Sequence, residues 1–505
     1  MKILYAAAEM VPFAKVGGLA DVAGALTREL AKMGHEVYAY LPVYPSVRRH
    51  WDQIDPKKVA DVAVPMGNQI VTGTVYRGEI SGSAARLLLL ECDSLYDRPN
   101  PYVDPKTGRD WPDNPRRFGF YCRVLPVACT VLEWVPDVMN LNDYQLGLLA
   151  MVMREEHGAG VFRDVALCYS IHNLGYQGIF PSDLSEPAGR DEVSEVLTQL
   201  GLREDQFHAM GPLEYYGRVN LMKSGLYYAD LITTVSPTYA EEIQSPEHGF
   251  GLDGVLRDRS DRLLGILNGI DDQYWNPQTD ALIPYNYGSS DFQRKRENKK
   301  RLLEVTHLPA GEDVPVIGMV GRLVEQKGLD ILSEILDTFL REHEVRLIVL
   351  GSGQPEYEDL LKRAARRYPK QVAVSTGFDE PLAHLIEAGA DFFLMPSRYE
   401  PCGLNQMYSM RYGTIPIVRR TGGLADTVEE FDPERGTGCG FVFTDYSPGA
   451  LRAALERALA AYGRSRAFKA LITRVMRRDF SWEHSARKYV EAYAWARAER
   501  AKSLG

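Results

Sequence analysis

A strand, a glycine loop and an amphipathic helix follow one another at the start of this chain, and that order narrows the fold more than any other feature. Ile3-Leu4-Tyr5-Ala6-Ala7-Ala8 reads as a buried strand that ends at Glu9. A loop holding Pro12 and Lys15-Val16-Gly17-Gly18 leads into a helix with Leu19, Val22, Ala23, Leu26, Leu30 and Met33 on one face, stopped by Gly34. Val37-Tyr38-Ala39-Tyr40-Leu41 is the next strand. A strand–helix–strand opening demands a parallel sheet. A second such series begins with a strand over residues 314–320, continues through 345–350 and 372–375, and reaches Phe392-Phe393-Leu394-Met395 and then Ile415-Pro416-Ile417-Val418. Five residues of the first loop, Gly17-Gly18-Leu19-Ala20-Asp21, recur as Gly422-Gly423-Leu424-Ala425-Asp426, again opening a helix. Two Rossmann-like domains facing a cleft account for the echo, so the expected fold class is α/β. The expected domains are residues 1–265 and 266–477, with residues 478–505 as a helix returning to the first, and a crossing between 262 and 275.

The most informative single stretch is Ser397-Arg398-Tyr399-Glu400-Pro401-Cys402-Gly403-Leu404. Pro396 and Pro401 end the preceding strand and fix the loop. Gly403 lets the backbone turn into a helix expected over residues 404–412. One carboxylate, Glu400, therefore sits at a strand end, where open α/β sheets bind ligands. A solvated glutamate in an ordinary loop fits this stretch alone equally well. The first loop lacks G-x-G-x-x-G, so a nicotinamide or flavin site is unsupported. Its two glycines and Lys15 suit a diphosphate, although a structural turn with an exposed lysine is the plainer reading. Residues 94–117 are rich in Pro, Asp, Asn and Arg and read as one long ordered loop.

Composition excludes several classes. The 505 residues carry 58 basic and 68 acidic side chains, a net charge of -10. An acidic chain without a basic run is a poor partner for nucleic acid. No apolar run reaches a membrane span, and Glu9 interrupts the first apolar stretch too early for a signal peptide. Six scattered cysteines show no C-x-x-C pair, which suggests neither disulfides nor a zinc site and fits the cytoplasm.

Many of these motifs together resemble one family, the bacterial glycogen synthases and plant starch synthases. The resemblance runs over nearly the whole chain. It includes Lys15-Val16-Gly17-Gly18-Leu19, Asn142-Asp143, His172-Asn173-Leu174-Gly175-Tyr176-Gln177-Gly178 and Thr234-Val235-Ser236-Pro237-Thr238-Tyr239. It continues through Asn268-Gly269-Ile270-Asp271, Gly321-Arg322-Leu323, Gln326-Lys327-Gly328, the Glu400 stretch and Thr421-Gly422-Gly423-Leu424. Val16 and Tyr144 stand where many members have Thr and Trp. The resemblance implies the GT-B fold and a retaining hexosyltransferase that moves glucose from ADP-glucose to the non-reducing 4-OH of an α-1,4-glucan such as glycogen.

The resemblance also implies roles. His172 lines the reacting sugar, Glu400 holds sugar hydroxyls, Asp143 lies near the acceptor, and Arg322 and Lys327 face the leaving phosphate. Those five form the expected catalytic set. Expected donor-binding residues are Lys15, Gly17, Gly18, Asp21, Asn173, Asn268, Gln326, Phe378, Ser397, Cys402, Gly403, Leu404 and Thr421, with Asp21 equally able to cap a helix. Phe378 stands where many members stack a Tyr on adenine. Glu9 and Tyr102 are weaker acceptor-side candidates.

A nucleotide diphosphate is a good leaving group that needs positive charge more than a proton. Arg322, Lys327 and Lys15 can supply it. No Asp-x-Asp occurs, so neither a metal nor any other cofactor is expected. If all three cations reach one diphosphate, the two halves must close on it. Alternatives stay open: UDP-glucose as preferred donor, a glucan-binding relative without catalysis, or another B-type enzyme such as a sucrose synthase or a pyridoxal-phosphate-dependent phosphorylase.

Overall fold

The computed structural model describes residues 1–504 apart from 186, 292, 312, 463 and 464. The chain divides into two compact units. The first comprises Met1–Val235, Ala240–Ile266 and Trp482–Gly505, and the second Ser236–Tyr239 and Leu267–Ser481. The chain thus crosses after Ile266 and returns after Ser481. It holds to the second unit through residue 481 because Ile270 bridges Ser481 and donates its amide to the Phe480 carbonyl at 2.8 Å. The brief excursion of Ser236–Tyr239 had no signal in the sequence.

The first unit is built on β1 (Lys2–Ala6), β2 (Glu36–Pro42), β3 (Lys57–Met66), β4 (Gln69–Glu79), β5 (Arg86–Glu91), β6 (Val138–Asn142) and β7 (Ala166–Ile171). After a small antiparallel sheet of β8 (Ile179–Phe180), β9 (Glu214–Tyr215) and β10 (Arg218–Asn220), it adds β11 (Leu231–Thr234) and β12 (Leu263–Gly265). The large sheet runs β12-β11-β7-β6-β1-β2-β5-β4-β3, parallel from β12 to β5 and antiparallel beyond. Its central strands are buried on both faces, which is why they read as unbroken apolar runs. The helix Gly18–Lys32 packs through Leu19, Val22, Ala23, Leu26 and Leu30, the stripe seen in the sequence.

Several expected boundaries move. The first strand stops at Ala6 and not at Glu9, because the chain turns there to wrap its loop around the Glu9 carboxylate. Residues 94–117 are not one loop. Asp93–Tyr96 forms a helical turn, and a long helix, Asn114–Val131, already begins at Asn114. Pro115 misled the reading, since proline is tolerated in a helix's first turn. The helix after Glu400 spans Asn405–Arg411, slightly shorter than expected.

The second unit's sheet contains β13 (Val316–Val320), β14 (Arg346–Leu350), β15 (Val372–Ser375), β16 (Phe392–Met395), β17 (Ile415–Arg419) and β18 (Phe441–Phe443). Its order is β15-β14-β13-β16-β17-β18, parallel throughout. The basic helix Gln293–Val305 buries part of its charge against the sheet. Lys295 is buried and donates to the Glu387 and Ala388 carbonyls and to Thr414 Oγ1. Lys299 pairs with Asp391 at 2.7 Å, and Asp391 also accepts the Val316 amide at the entry to β13. Among the described residues no helix is long and apolar enough to cross a membrane.

The Lys299–Asp391 pair joins a helix to two strand starts with both side chains mostly buried, so removing one partner strands the other charge. Lys299→Met is expected to destabilise the second unit by about 3 kcal/mol, read as a lowered denaturant midpoint. A parental midpoint would mean the pair contributes nothing.

Candidate functional site

The parallel part of each large sheet reverses its strand order at one place. In the first unit β1 lies between β2 and β6, and in the second β13 lies between β14 and β16. Loops leaving the carboxyl ends of strands diverge at such a switch point, opening a crevice. The candidate residues fall on those loops, and each unit is described by itself.

In the first unit the loop after β1 carries Glu9, Lys15, Gly17 and Gly18. Glu9 is buried at 3% exposure, and its Oε2 accepts the amides of Val16 at 2.5 Å and Gly17 at 2.9 Å. Burial raises its carboxyl pKa, while those two amides and the Tyr102 hydroxyl lower it. The Glu9 carboxylate thus holds its own loop and bonds Tyr102, the other acceptor-side candidate. Asp21 does not cap the helix. It pairs with Lys15 at 2.8 Å, with the lysine side chain 46% exposed.

The loops after β6 and β7 meet at Asp143. Its backbone stands at φ 55°, ψ -174°, a region that costs a non-glycine residue about 1–3 kcal/mol. The structure holds it there through its side chain, which accepts the amide of His172 at 2.8 Å and that of Asn173. Burial pushes the Asp143 carboxyl up to about 7 despite those amides, with Glu9 adding to the rise. His172 Nε2 lies 2.8 Å from Asn142 Oδ1, and burial lowers the imidazole to about 3, so the ring is neutral at working pH. Asn173 Oδ1 turns back to accept the Gly175 amide.

In the second unit two loops interlock across the switch point. Gly328 has φ +74°, and a Cβ there would lie 2.0 Å from the Pro396 carbonyl oxygen. The Arg398 amide donates to the Gln326 carbonyl at 2.9 Å, and Gln326 Nε2 donates to the Tyr399 carbonyl at 3.2 Å. Lys327 Nζ reaches Glu400 Oε2 at 2.6 Å, and Ser397 Oγ donates to the same oxygen at 3.0 Å. Glu400 is only 7% exposed. It is a buried, paired carboxylate and not a solvated one. Arg322, on the same loop as Lys327, is exposed.

The loop beyond Glu400 is fixed from behind. Gly422, at φ +43°, would put a Cβ 2.0 Å from the Glu400 carbonyl oxygen, and the Gly423 amide donates to the Glu400 and Pro401 carbonyls. Thr421 is buried at the head of a short helix, Gly422–Thr427. Ser236 Oγ donates to the Pro401 carbonyl at 2.7 Å, and Thr238 donates its amide and hydroxyl to Asp426. Sequence reasoning noticed the Ser236–Tyr239 motif but gave it no role.

Asn268 hydrogen-bonds the sulfur of Cys402, whose thiol burial raises to about 12. Its Oδ1 is buried without a partner, which leaves an acceptor for a ligand hydroxyl. Gly403 takes φ +69° as the turn requires, and Leu404 precedes the helix. Phe378, 85% exposed, stands beyond β15. Among the described residues no cluster of three or more His, Cys, Asp or Glu could hold a metal ion.

Two outcomes test these assignments. The folded state holds the Asp143 proton up to about pH 7, while the unfolded chain releases it near pH ~4. The parent therefore loses stability as pH rises through that window. Asp143→Asn removes the loss, so its melting temperature relative to the parent should rise between pH 4.5 and pH 8 (roughly the ends of that window). A difference independent of pH would show an ordinary carboxyl. Glu400→Gln keeps a hydrogen-bond acceptor for Ser397 but leaves Lys327 without its anion. It should cost about 2 kcal/mol of stability as well as turnover, and a parental melting temperature would exclude the pair as a stabilising contact.

Comparison with known proteins bears on the same loops. The starch synthase catalytic domain family matches residues 2–258, and the glycosyl transferases group 1 family matches residues 304–471. The chain is 44% identical to the glycogen synthase of Syntrophotalea carbinolica, over 98% of each chain. It is 45% identical to glycogen synthase 1 of Methylococcus capsulatus, over 99% of this chain and 97% of that one. The catalytic domain of starch synthase IV from Arabidopsis thaliana, solved bound to ADP and acarbose, superposes with a TM-score of 0.87 at 30% identity. That likeness covers 98% of this chain and 99% of that one. A sucrose-phosphate synthase from Thermosynechococcus elongatus, 18% identical with a TM-score of 0.59 over 98% of this chain and 99% of its own, shares the fold alone. This chain therefore belongs to the glycogen and starch synthase family of glycosyltransferases, and its two α/β units are the Rossmann-like domains of the GT-B fold.

Proposed function

We propose that the chain transfers glucose from ADP-glucose to the non-reducing 4-OH of an α-1,4-glucan, with retention of configuration and without a metal ion. The observation that carries the reading is the arrangement around Glu400. A buried carboxylate braced by Ser397 and Lys327 stands on the loop that also holds Cys402, and Asn268 beside it offers a buried, unpartnered carbonyl oxygen. Such a set of acceptors suits the hydroxyls of a sugar, and the exposed Arg322 beside Lys327 suits its diphosphate. ADP as the nucleotide of the donor finds support in the related starch synthase solved bound to ADP and acarbose.

In this reading the leaving diphosphate needs charge stabilisation more than protonation, and Arg322 and Lys327 supply it. Lys327 is paired with Glu400, so donor binding would divide one cation between a carboxylate and a phosphate. Asp143 acts on the loop it holds. By fixing the amides of His172 and Asn173 it sets the direction of the His172 carbonyl, which the reading puts near the anomeric carbon. Phe378 is exposed and free of packing constraints that would keep it from stacking on a base. Six thiols, all buried and free, fit a reducing cytoplasm.

Steady-state rates with ADP-glucose and UDP-glucose on one glucan primer, each with and without excess EDTA, test the proposal. ADP-glucose should give the higher kcat/KM, EDTA should leave it unchanged, and the product should be an α-1,4 linkage. Faster turnover of UDP-glucose would overturn the donor assignment. Loss of activity in EDTA, restored by Mg²⁺, would overturn the metal-free chemistry.

A further inference from the structure

Beneath His172 lies a buried polar chain that the reading above does not use. Three groups converge on Asn142 Oδ1: the Tyr5 hydroxyl at 3.0 Å and Asn140 Nδ2 at 3.3 Å, which donate to it, and His172 Nε2 at 2.8 Å. The orientation of this amide is fixed, because its Nδ2 donates to the Ala6 carbonyl at 2.8 Å, and only an N–H can face that oxygen. Asn140 is fixed in turn. Its Nδ2 serves Asn142 and Ser170 Oγ, which leaves its Oδ1 for the Tyr493 hydroxyl at 2.7 Å. Tyr5, Asn140, Asn142 and Tyr493 are all essentially without solvent contact, so no water can stand in for a missing partner.

We propose that Tyr5 and Tyr493, one near each end of the chain, are positioning residues that fix the tautomer of His172 through Asn140 and Asn142. The proposal rests on the reading of His172 as a reaction-site residue. The argument is one of donors and acceptors. A bare Nε2 would set its lone pair against Asn142 Oδ1 at 2.8 Å, so Nε2 carries the proton and Nδ1 is the ring's acceptor. That choice lasts only while Asn142 keeps Oδ1 turned to the ring. Its Nδ2 bond to Ala6 shares that task with two donors on Oδ1, the Tyr5 hydroxyl and the Asn140 amide that Tyr493 orients. Tyr493 belongs to the helix Trp482–Leu504, which packs in the first unit. The return of the chain after Ser481 thus delivers a hydroxyl to the support of His172.

The test uses the full-length protein labelled with ¹⁵N-histidine, with the His172 resonance identified by its loss in His172→Gln. Long-range ¹H–¹⁵N correlation should show protonated Nε2 and bare Nδ1 in the parent. Tyr5→Phe and Tyr493→Phe should each populate the other tautomer and lower kcat by a few fold, and the double variant by about tenfold, the worth of one hydrogen bond. KM for the nucleotide sugar should change less. Tyr96→Phe is the control. It removes a buried tyrosine hydroxyl of the same unit that donates to the Arg117 carbonyl at 2.9 Å, outside the hydrogen bonds around Asn140 and Asn142, and should keep the parental tautomer and kcat. Each single variant is decisive if the double does not fold. A tautomer and kcat left at parental values in both Tyr5→Phe and Tyr493→Phe would overturn the proposal, as would equal losses in Tyr96→Phe. His172→Gln at the parental rate would instead remove His172 from the reaction site, whatever the tautomer shows.

Discussion

A carboxylate taken out of water must be met by donors, and this requirement shapes the loops of both units. Three carboxylates stand at the carboxyl ends of strands that flank the switch points, Glu9 after β1, Asp143 after β6 and Glu400 after β16. Each is met locally: Glu9 by two amides of its own loop, Asp143 by two amides of the loop after β7, Glu400 by Lys327 and Ser397. Leaving such a group unpaired costs several kcal/mol, on the order of the whole margin of stability. The loops therefore take the shape that serves the carboxylates. Residues expected to meet a ligand are in large part residues that first satisfy one another.

The sequence echo shows how one motif is used twice to different ends. Both copies of Gly-Gly-Leu-Ala-Asp open a helix. In the first, Asp21 holds Lys15, keeping an exposed cation in place. In the second, Asp426 holds Thr238, and the glycines lie against the Glu400 and Pro401 carbonyls. The first copy presents a charge, whereas the second braces the loop that carries one. Ser236 completes that brace on Pro401. An aspartate at the same turn of a helix can thus serve presentation or support, depending on what the fold brings beside it.

Polar groups deep in the first unit do comparable work. Asn140, Asn142, Ser170 and Thr233 occupy strand positions that would ordinarily hold aliphatic side chains, and none is exposed to solvent. Their mutual hydrogen bonds compensate their burial and link β6, β7 and β11 to the final helix through Tyr493. The result under His172 is rigid and dry. A neutral imidazole there follows from burial.

The sequence by itself determined the parallel sheets, the doubling of the α/β unit, and the loops that hold Glu400, Lys327, Lys15 and His172. Those features follow from local pattern: apolar runs of strand length, glycines where the chain must turn, and one apolar stripe per helix. Only the tertiary structure decided what each side chain touches. It turned Glu9 inward to its own loop, joined Glu400 to Lys327 over 73 positions of sequence, and set Tyr493 against Asn140 over 353. It also gave Asp143 a backbone conformation that no residue type announces. The physical reason is that strand and helix periodicity act between near neighbours, whereas the pairing of a buried polar group depends on whichever donors the completed fold brings within hydrogen-bond distance.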